Sequence, residues 1–118
     1  MSNSATQSGV KPNTPVVVAV ARTPIATRGG RLANVGAEKL AGLAIAAAAN
    51  RATDALGLAD GSKVDGVYLG NCMGPGGNLA RVSALAAGLD IQTPAMTIDT
   101  QCASGLSAII VAGQAISA

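Results

Sequence analysis

The last sixteen residues of this chain predict a helix that has to be buried on more than one side. From Ala103 to Ala118 the residues are small or apolar except for Gln114, and the segment contains no proline and no charged side chain. A helix at a protein surface keeps a polar face, whereas a helix that is apolar nearly all round is buried. The fold therefore has to place this helix between layers of structure.

The rest of the chain alternates between extended and helical patterns. Apolar β-branched runs predict strands, and apolar residues spaced by three and four predict helices. Alternation with short loops implies an α/β fold, with a mostly parallel sheet and helices on both faces. The predicted order is strand Val16 to Ala21 (buried on both faces), helix Gly36 to Leu56, strand Val64 to Leu69, helix Leu79 to Ala87, strand Ala95 to Asp99 and the apolar helix. Asn78 is predicted to cap the start of its helix, and Gly57 and Gly88 are predicted to end theirs.

Cys102 lies where the last predicted strand meets the apolar helix. Unpaired N–H groups and the macrodipole at a helix start favour an anion, and the thiolate is the reactive form of cysteine. Its position therefore makes Cys102 a candidate nucleophile. A buried, unreactive thiol is the alternative on position alone, because free cysteine packs as a small hydrophobic side chain.

Two loops are weaker candidates for ligand binding. The glycine-rich loop 71–77 precedes a helix, but it lacks the Lys-Ser/Thr ending of a P-loop and the spacing of a dinucleotide site, so we interpret it as a connector. Arg22, Arg28 and Arg31 form a local basic cluster, which we interpret as solvated side chains. Because no aromatic residues lie among these basic side chains, nucleic-acid binding is not expected.

The composition suits part of a larger domain. The 118 residues include one Tyr and no Phe or Trp, and only 12% are charged. Aromatic side chains supply much of the buried area of a core, so we expect a fragment or one piece of a multi-chain assembly. Residues 1–15 predict a disordered lead-in, and residues 16–118 an incomplete N-terminal domain. No membrane span or targeting segment is indicated, which predicts a cytoplasmic protein with reduced thiols.

The segment around the cysteine, Asp99-Thr-Gln-Cys-Ala-Ser-Gly-Leu-Ser-Ala-Ile109, resembles the nucleophile segment of the thiolases. That family comprises the acetyl-CoA acetyltransferases and 3-ketoacyl-CoA thiolases. Three further segments resemble it in the same order, namely Val20-Ala-Arg-Thr-Pro-Ile25, Val64-Asp-Gly-Val-Tyr-Leu-Gly-Asn71, and Asn78-Leu-Ala-Arg-Val-Ser-Ala-Leu-Ala-Ala-Gly-Leu89 followed by Pro94-Ala95. The resemblance implies the N-terminal portion of a thiolase-like fold, with a buried helix after the nucleophile Cys102.

The resemblance also implies a reaction. Cys102 would attack an acyl-CoA or 3-ketoacyl-CoA carbonyl and carry the acyl group as a thioester, which passes to coenzyme A or to the enolate of a second acyl-CoA. The backbone N–H of Cys102 would donate to the developing oxyanion. Coenzyme A would be substrate and product, with no tightly bound cofactor and no metal. These expectations place the protein in lipid metabolism.

The second half of a thiolase supplies a histidine that activates the nucleophile and a second cysteine that acts as acid and base. This chain has no histidine, and Cys72 does not match the second cysteine, so it receives no catalytic role. The complete enzyme is expected to be a homodimer or homotetramer, or to complete itself with a second chain. Residues 1–118 alone are expected to be inactive and to associate.

Two alternatives stay open on the sequence. A ketosynthase-type condensing enzyme of the same superfamily also places a nucleophilic cysteine at a helix start. A non-catalytic thiolase-like subunit would keep the fold without turnover, and the absence of histidine favours it for the chain as given.

Overall fold

The computed structural model describes residues 11–59 and 63–118. Within those ranges the elements are α1 (Ala37–Leu56), β1 (Val67–Gly70), α2 (Leu79–Ala86), β2 (Ala95–Ile98) and α3 (Ser104–Ser117). The two strands are parallel, with Val67 opposite Ala95 and Gly70 opposite Ile98. Helix α2 is the crossover that joins them. The predicted α/β fold with a parallel sheet is confirmed.

Helices α2 and α3 lie on opposite faces of the strands, since each contacts both strands and, among the described residues, the two helices do not contact each other. Helix α1 packs on α2. At Gly42 of α1, an added Cβ would lie 3.1 Å from the Ala86 Cβ and 3.2 Å from the Ser83 carbonyl oxygen. The missing side chain therefore permits close packing of the two helices, and the layers run α1, α2, sheet, α3.

The core lies between α2 and the sheet. Ala80 and Ala84 of α2 are 0% and 1% exposed, and Val67 of β1 completes the centre of the cluster. Small side chains on α2 let the helix approach the strands closely. The partly buried residues packed around this centre are Ile45, Val64, Leu69, Leu89 and Ala95.

The ends of α1 and α2 carry the capping residues that the sequence predicts. The Asn78 Oδ1 accepts a hydrogen bond from the Arg81 backbone N at 3.1 Å. Gly57 and Gly88 have φ values of 62° and 79°, the left-handed conformation that commonly ends a helix. The backbone bonds that close these ends run from Leu58 N to Thr53 O (3.0 Å) and from Leu89 N to Ala84 O (3.1 Å).

The predicted buried strand over Val16 to Ala21 is wrong for this structure. These residues pair with neither strand of the described sheet, and Val17 and Val20 are 77% and 71% exposed. The Arg51 Nη1 donates to the Val20 carbonyl oxygen at 2.6 Å, which ties the segment to α1. A β-branched run favours extended backbone, but a strand also needs a partner edge, and sequence pattern does not specify one.

Helix α3 is covered on the side that faces the sheet. Its buried residues are Ser104 and Ala108. Four of its large apolar side chains are at least half exposed, namely Leu106, Ile109, Ile110 and Ile116, whereas Val111 is half-buried. The second layer that the predicted burial requires is not among the residues described.

The predicted disordered lead-in covers residues 1–15, of which residues 1–10 lie outside the described part of the chain. Within residues 11–59 and 63–118, no helix combines the length and apolarity needed to cross a membrane.

Candidate active site

A tight turn of residues 99–104, here called the cysteine turn, joins β2 to α3 and carries Cys102. Ala103 N donates to Thr100 O at 3.2 Å, and Ser104 N donates to Gln101 O at 3.0 Å. Gln101 has a φ of 57°, a left-handed conformation that residues with a side chain rarely adopt. Both Cys102 and Cys72 are free thiols, and Cys102 is exposed. Among the described residues the thiol is therefore not buried, and the reactivity of Cys102 stays a prediction.

Cys102 stands two residues before the first residue of α3, and Ala103 is the N-cap. The predicted helix start at Ala103 is therefore early by one residue, a usual uncertainty at helix ends. The N–H groups of Gly105 and Leu106 make no hydrogen bond among the described residues. The partial positive charge of the helix start is thus left beside the cysteine turn.

Short polar side chains close the cysteine turn. Asp99 Oδ1 accepts from Gln101 N at 2.8 Å. Ser104 Oγ donates to Gln101 O at 2.6 Å and accepts from Thr100 N at 3.0 Å. The Thr100 and Ser107 hydroxyls share a hydrogen bond of 2.7 Å. Our sequence analysis missed these roles, although Asp, Thr and Ser clustered at a helix start often bond to the local backbone.

The end of β1 supports the same turn. An added Cβ on Gly70 would lie 2.5 Å from both the Gly105 N and the Ser104 carbonyl carbon. Only glycine lets a strand approach a helix start this closely. Main-chain contact with β1 therefore sets the distance between the sheet and the start of α3.

The strand that leads into the turn is tied to the start of α2. Asn78 Nδ2 donates to Ala95 O at 2.9 Å. Thr97 Oγ1 accepts from Ala80 N at 2.9 Å and donates to Asn78 Oδ1 at 2.9 Å. These bonds satisfy amide groups at the helix start and fix β2 along its length.

Arg81 fixes the connector between α2 and β2. Its Nη1 donates to Thr93 O at 2.8 Å, and its Nη2 donates to Ile91 O at 2.5 Å. A guanidinium group presents several donors in a fixed plane, which suits two neighbouring carbonyls. The Asn78-to-Arg81 segment therefore holds in place the chain that leads to the cysteine.

The glycine-rich loop 71–77 folds through its own contacts. Asn71 Oδ1 accepts from Gly74 N at 3.0 Å, and Asn71 Nδ2 donates to Pro75 O at 3.0 Å. Cys72, which the sequence analysis set aside, is half-buried in this loop. These contacts support the interpretation of the loop as a connector.

The other candidate features lie apart from the cysteine turn. Arg22, Arg28 and Arg31 are exposed, as expected for solvated side chains. An open groove of about 610 Å³ between β1 and the end of α3 is lined by residues such as Tyr68 and Ala112, and by none of the turn. The candidate nucleophile therefore lies at the cysteine turn and not in this groove.

Similarity to known proteins decides the family. Residues 15–118 match the family model described as the thiolase N-terminal domain. This chain belongs to the thiolase family. The mitochondrial acetyl-CoA acetyltransferase of Xenopus tropicalis is 42% identical over 106 residues, which are 88% of this chain and 24% of that protein. The acetyl-CoA acetyltransferase of Cupriavidus necator is 40% identical over 105 residues, 87% of this chain and 25% of that protein.

The fold agrees with a solved structure. The crystal structure of the Bacillus anthracis acetyl-CoA acetyltransferase is similar with a TM-score of 0.74 and 38% identity, over 83% of this chain and 24% of that one. The chain thus spans about a quarter of the length of these relatives. The thiolase resemblance and the fold it implied are confirmed, while the role of Cys102 stays a prediction.

Proposed function

We propose that this chain supplies the nucleophile of an acyl-CoA thiolase of the acetyl-CoA acetyltransferase type, and that Cys102 is that nucleophile. The observation that carries the proposal is a free, exposed thiol at the junction of a parallel strand and a helix start. A thiolate in that setting is a good nucleophile and a good leaving group, so it divides one difficult acyl transfer into two easier ones. The names of the relatives support the acetyl-CoA substrate class.

In the degradative direction, Cys102 Sγ attacks the 3-carbonyl of a 3-ketoacyl-CoA. The sulfur–carbon bond forms, the bond between the 2- and 3-carbons breaks, and its electron pair leaves as the acetyl-CoA enolate, which takes up a proton. The coenzyme A thiolate then attacks the acyl thioester and regenerates the Cys102 thiolate. In the synthetic direction, the enolate of a second acetyl-CoA receives the acyl group instead.

The described residues support the first half of this chemistry. The cysteine turn holds the thiol in solvent, and the Cys102 backbone N–H is the proposed oxyanion donor. The thiolase resemblance implies a histidine base and a second cysteine from the second half of the enzyme, and we assign neither role within residues 1–118. Coenzyme A acts as substrate and product, with no tightly bound cofactor.

The unpaired strand edges and the exposed side of α3 are surfaces that further protein could cover. Each strand of the described sheet has one unpaired edge, and α3 exposes large apolar side chains. Open strand edges and apolar patches suit association with further protein, and we propose the homodimer or homotetramer, or the completing second chain, that the thiolase resemblance implies. A role in lipid metabolism is proposed from the acyl-CoA substrate class, and a cytoplasmic location remains a prediction from the sequence.

Brief labelling with iodoacetamide at neutral pH, followed by peptide mass mapping, tests the assignment in the full-length product of the gene. Cys102 is expected to be modified first, and acetyl-CoA is expected to protect it. Cys72 is the internal control, because it lies half-buried in a loop. Preferential modification of Cys72 would sink the assignment.

A thiolysis assay with acetoacetyl-CoA tests the reaction itself. Cys102→Ser is expected to lower kcat by about 10³-fold or more, as loss of a covalent nucleophile does, whereas Cys72→Ser leaves it unchanged. The relatives named above favour thiolase chemistry over the ketosynthase-type alternative. The non-catalytic subunit is the second candidate, and selective labelling of Cys102 without any thiolysis by the full-length protein would establish it.

A further inference from the structure

Ser104 is the buried hydroxyl of the cysteine turn. It is 4% exposed, whereas Thr100 is exposed and Ser107 is half-buried. Its Oγ donates to Gln101 O at 2.6 Å and accepts from Thr100 N at 3.0 Å. Both partners precede Cys102 while Ser104 follows it, so this one side chain bridges the backbone across the cysteine.

The peptide group that leads into Cys102 is the one that Ser104 holds. Its oxygen, Gln101 O, accepts from Ser104 Oγ and also from Ser104 N at 3.0 Å. Its N–H belongs to Cys102. A peptide group is planar, with the N–H pointing opposite to the C=O. Holding Gln101 O in place therefore fixes the direction of the Cys102 N–H, the proposed oxyanion donor.

Gln101 needs such support because of its backbone. Its φ of 57° lies in the left-handed region, which is unfavourable for a residue that carries a Cβ. Asp99 Oδ1 holds the Gln101 N–H at 2.8 Å, and Ser104 holds the Gln101 carbonyl. Ser104 is itself fixed, because Gly70 of β1 approaches its carbonyl carbon too closely for any side chain at that position.

We propose that Ser104 is a positioning residue for acyl transfer, acting through the Gln101–Cys102 peptide on the cysteine thiol and on the Cys102 N–H. This proposal rests on the proposed function of Cys102. An oxyanion donor works mainly in the transition state, so its orientation affects kcat more than substrate binding.

Ser104→Ala in the full-length product of the gene tests this role. It is expected to lower kcat for acetoacetyl-CoA thiolysis by about 10- to 100-fold, the effect of a small misplacement of reacting groups, with KM nearly unchanged. Alkylation of Cys102 by iodoacetamide is expected to slow, while labelling of Cys72 stays the same.

Ser83→Ala is the matched control, since Ser83 is also a buried serine on a helix but its Oγ has no hydrogen-bond partner among the described residues. It is expected to leave kcat and Cys102 labelling unchanged. Adding Gln101→Gly to Ser104→Ala removes the penalty of the left-handed backbone, so the double variant is expected to recover part of the lost kcat.

Two outcomes separate this proposal from its rivals. If Ser104→Ala lowers the melting temperature but leaves kcat and Cys102 alkylation at the parent values, Ser104 is only structural and the proposal is overturned. If the parent protein does not cleave acetoacetyl-CoA and Ser104→Ala still slows Cys102 alkylation, the proposed function fails while the positioning of the thiol stands.

Discussion

The two faces of the sheet carry helices built from small residues, but the two helices are covered to different extents. Helix α2 buries Leu79, Ala80, Ser83 and Ala84 between the strands and α1. Helix α3 buries only Ser104 and Ala108, and Ile109 is 67% exposed. Among the described residues, the first face has two helical layers and the second has one.

The two faces of the sheet carry residues with different roles. On the α2 face, alanine packing and the side chains of Asn78 and Arg81 hold the strands and their connector together. On the α3 face, the helix start carries the exposed Cys102 and a turn closed by short hydrogen bonds. Substitutions on the α2 face are therefore expected to change folding, and those at the start of α3 to change reactivity.

The largest effect on stability is expected when an aspartate is introduced on α2 and compared with an aspartate on α3. Ala80→Asp places a carboxylate at a fully buried position and is expected to lower the free energy of unfolding by about 4 kcal/mol, because the charge has no partner. Ile109→Asp on the exposed side of α3 is expected to change the free energy of unfolding of the 118-residue chain by less than about 0.5 kcal/mol. Urea unfolding followed by circular dichroism measures both, and equal losses would show that α3 is already covered.

The second comparison uses two arginines that bond to carbonyls. Arg81→Ala removes both donors to the α2–β2 connector and is expected to cost about 2–3 kcal/mol, since hydrogen bonds to charged groups are the stronger kind. Arg51→Ala removes one exposed bond to the unpaired segment 16–21 and is expected to cost about 0.5 kcal/mol. The same unfolding measurement applies, and a greater loss for Arg51 would reverse the ranking of the two regions.

Two neighbouring glycines are expected to respond with opposite signs. Gly70→Ala forces a Cβ against the start of α3 and is expected to destabilise the chain by about 2 kcal/mol through overpacking. Gly105→Ala meets open space and is expected to stabilise by about 0.5–1 kcal/mol, because alanine is the better helix former. Thermal unfolding of both variants measures the difference. Tolerance of alanine at position 70 would contradict the close contact.

A smaller change in stability is expected from Ser83, which lies on the α2 face of the sheet. Its buried hydroxyl has no hydrogen-bond partner among the described residues, so Ser83→Ala is expected to raise the free energy of unfolding by about 1 kcal/mol. Ser104→Ala, which breaks two bonds, is expected to lower it by a similar amount. Denaturant midpoints of the two variants at equal protein concentration provide the measurement, and a loss for Ser83→Ala would point to a partner that the geometry does not show.

The smallest effect on folding concerns the exposed side of α3. Leu106→Glu combined with Ile116→Glu is expected to change stability by less than about 0.5 kcal/mol while reducing self-association of the 118-residue chain. Size-exclusion chromatography over a range of concentrations reports the association. Unchanged association would assign it to another surface, such as an open strand edge.

The sequence predicted the features that depend on neighbours along the chain. Helix ends at Gly57 and Gly88 and the cap at Asn78 follow from local backbone chemistry, and the α/β order follows from hydrophobic period. The strand predicted over Val16 to Ala21 failed because pairing depends on a distant edge.

Part of the candidate site was also predictable, because it depends on neighbours along the chain. The junction of strand and helix located Cys102, and the thiolase resemblance supplied the chemistry. The left-handed backbone of Gln101, the bridge made by Ser104 and the bonds of Thr97 carry no periodic signal. The bonds of Thr97 arise only when β2 and α2 come together. The Ser104 bridge is local, and the signal for it was the cluster of Asp, Thr and Ser at the helix start.

The contact at Gly70 acts as a spacer of fixed size. Main-chain atoms of β1 meet main-chain atoms at the start of α3, and their van der Waals radii do not change when side chains elsewhere are exchanged. As long as position 70 remains glycine, the depth of the cysteine turn above the sheet is a constant of the scaffold. Differences in acyl-chain preference between proteins that share this contact are therefore expected to come from residues that approach Cys102 from its open side.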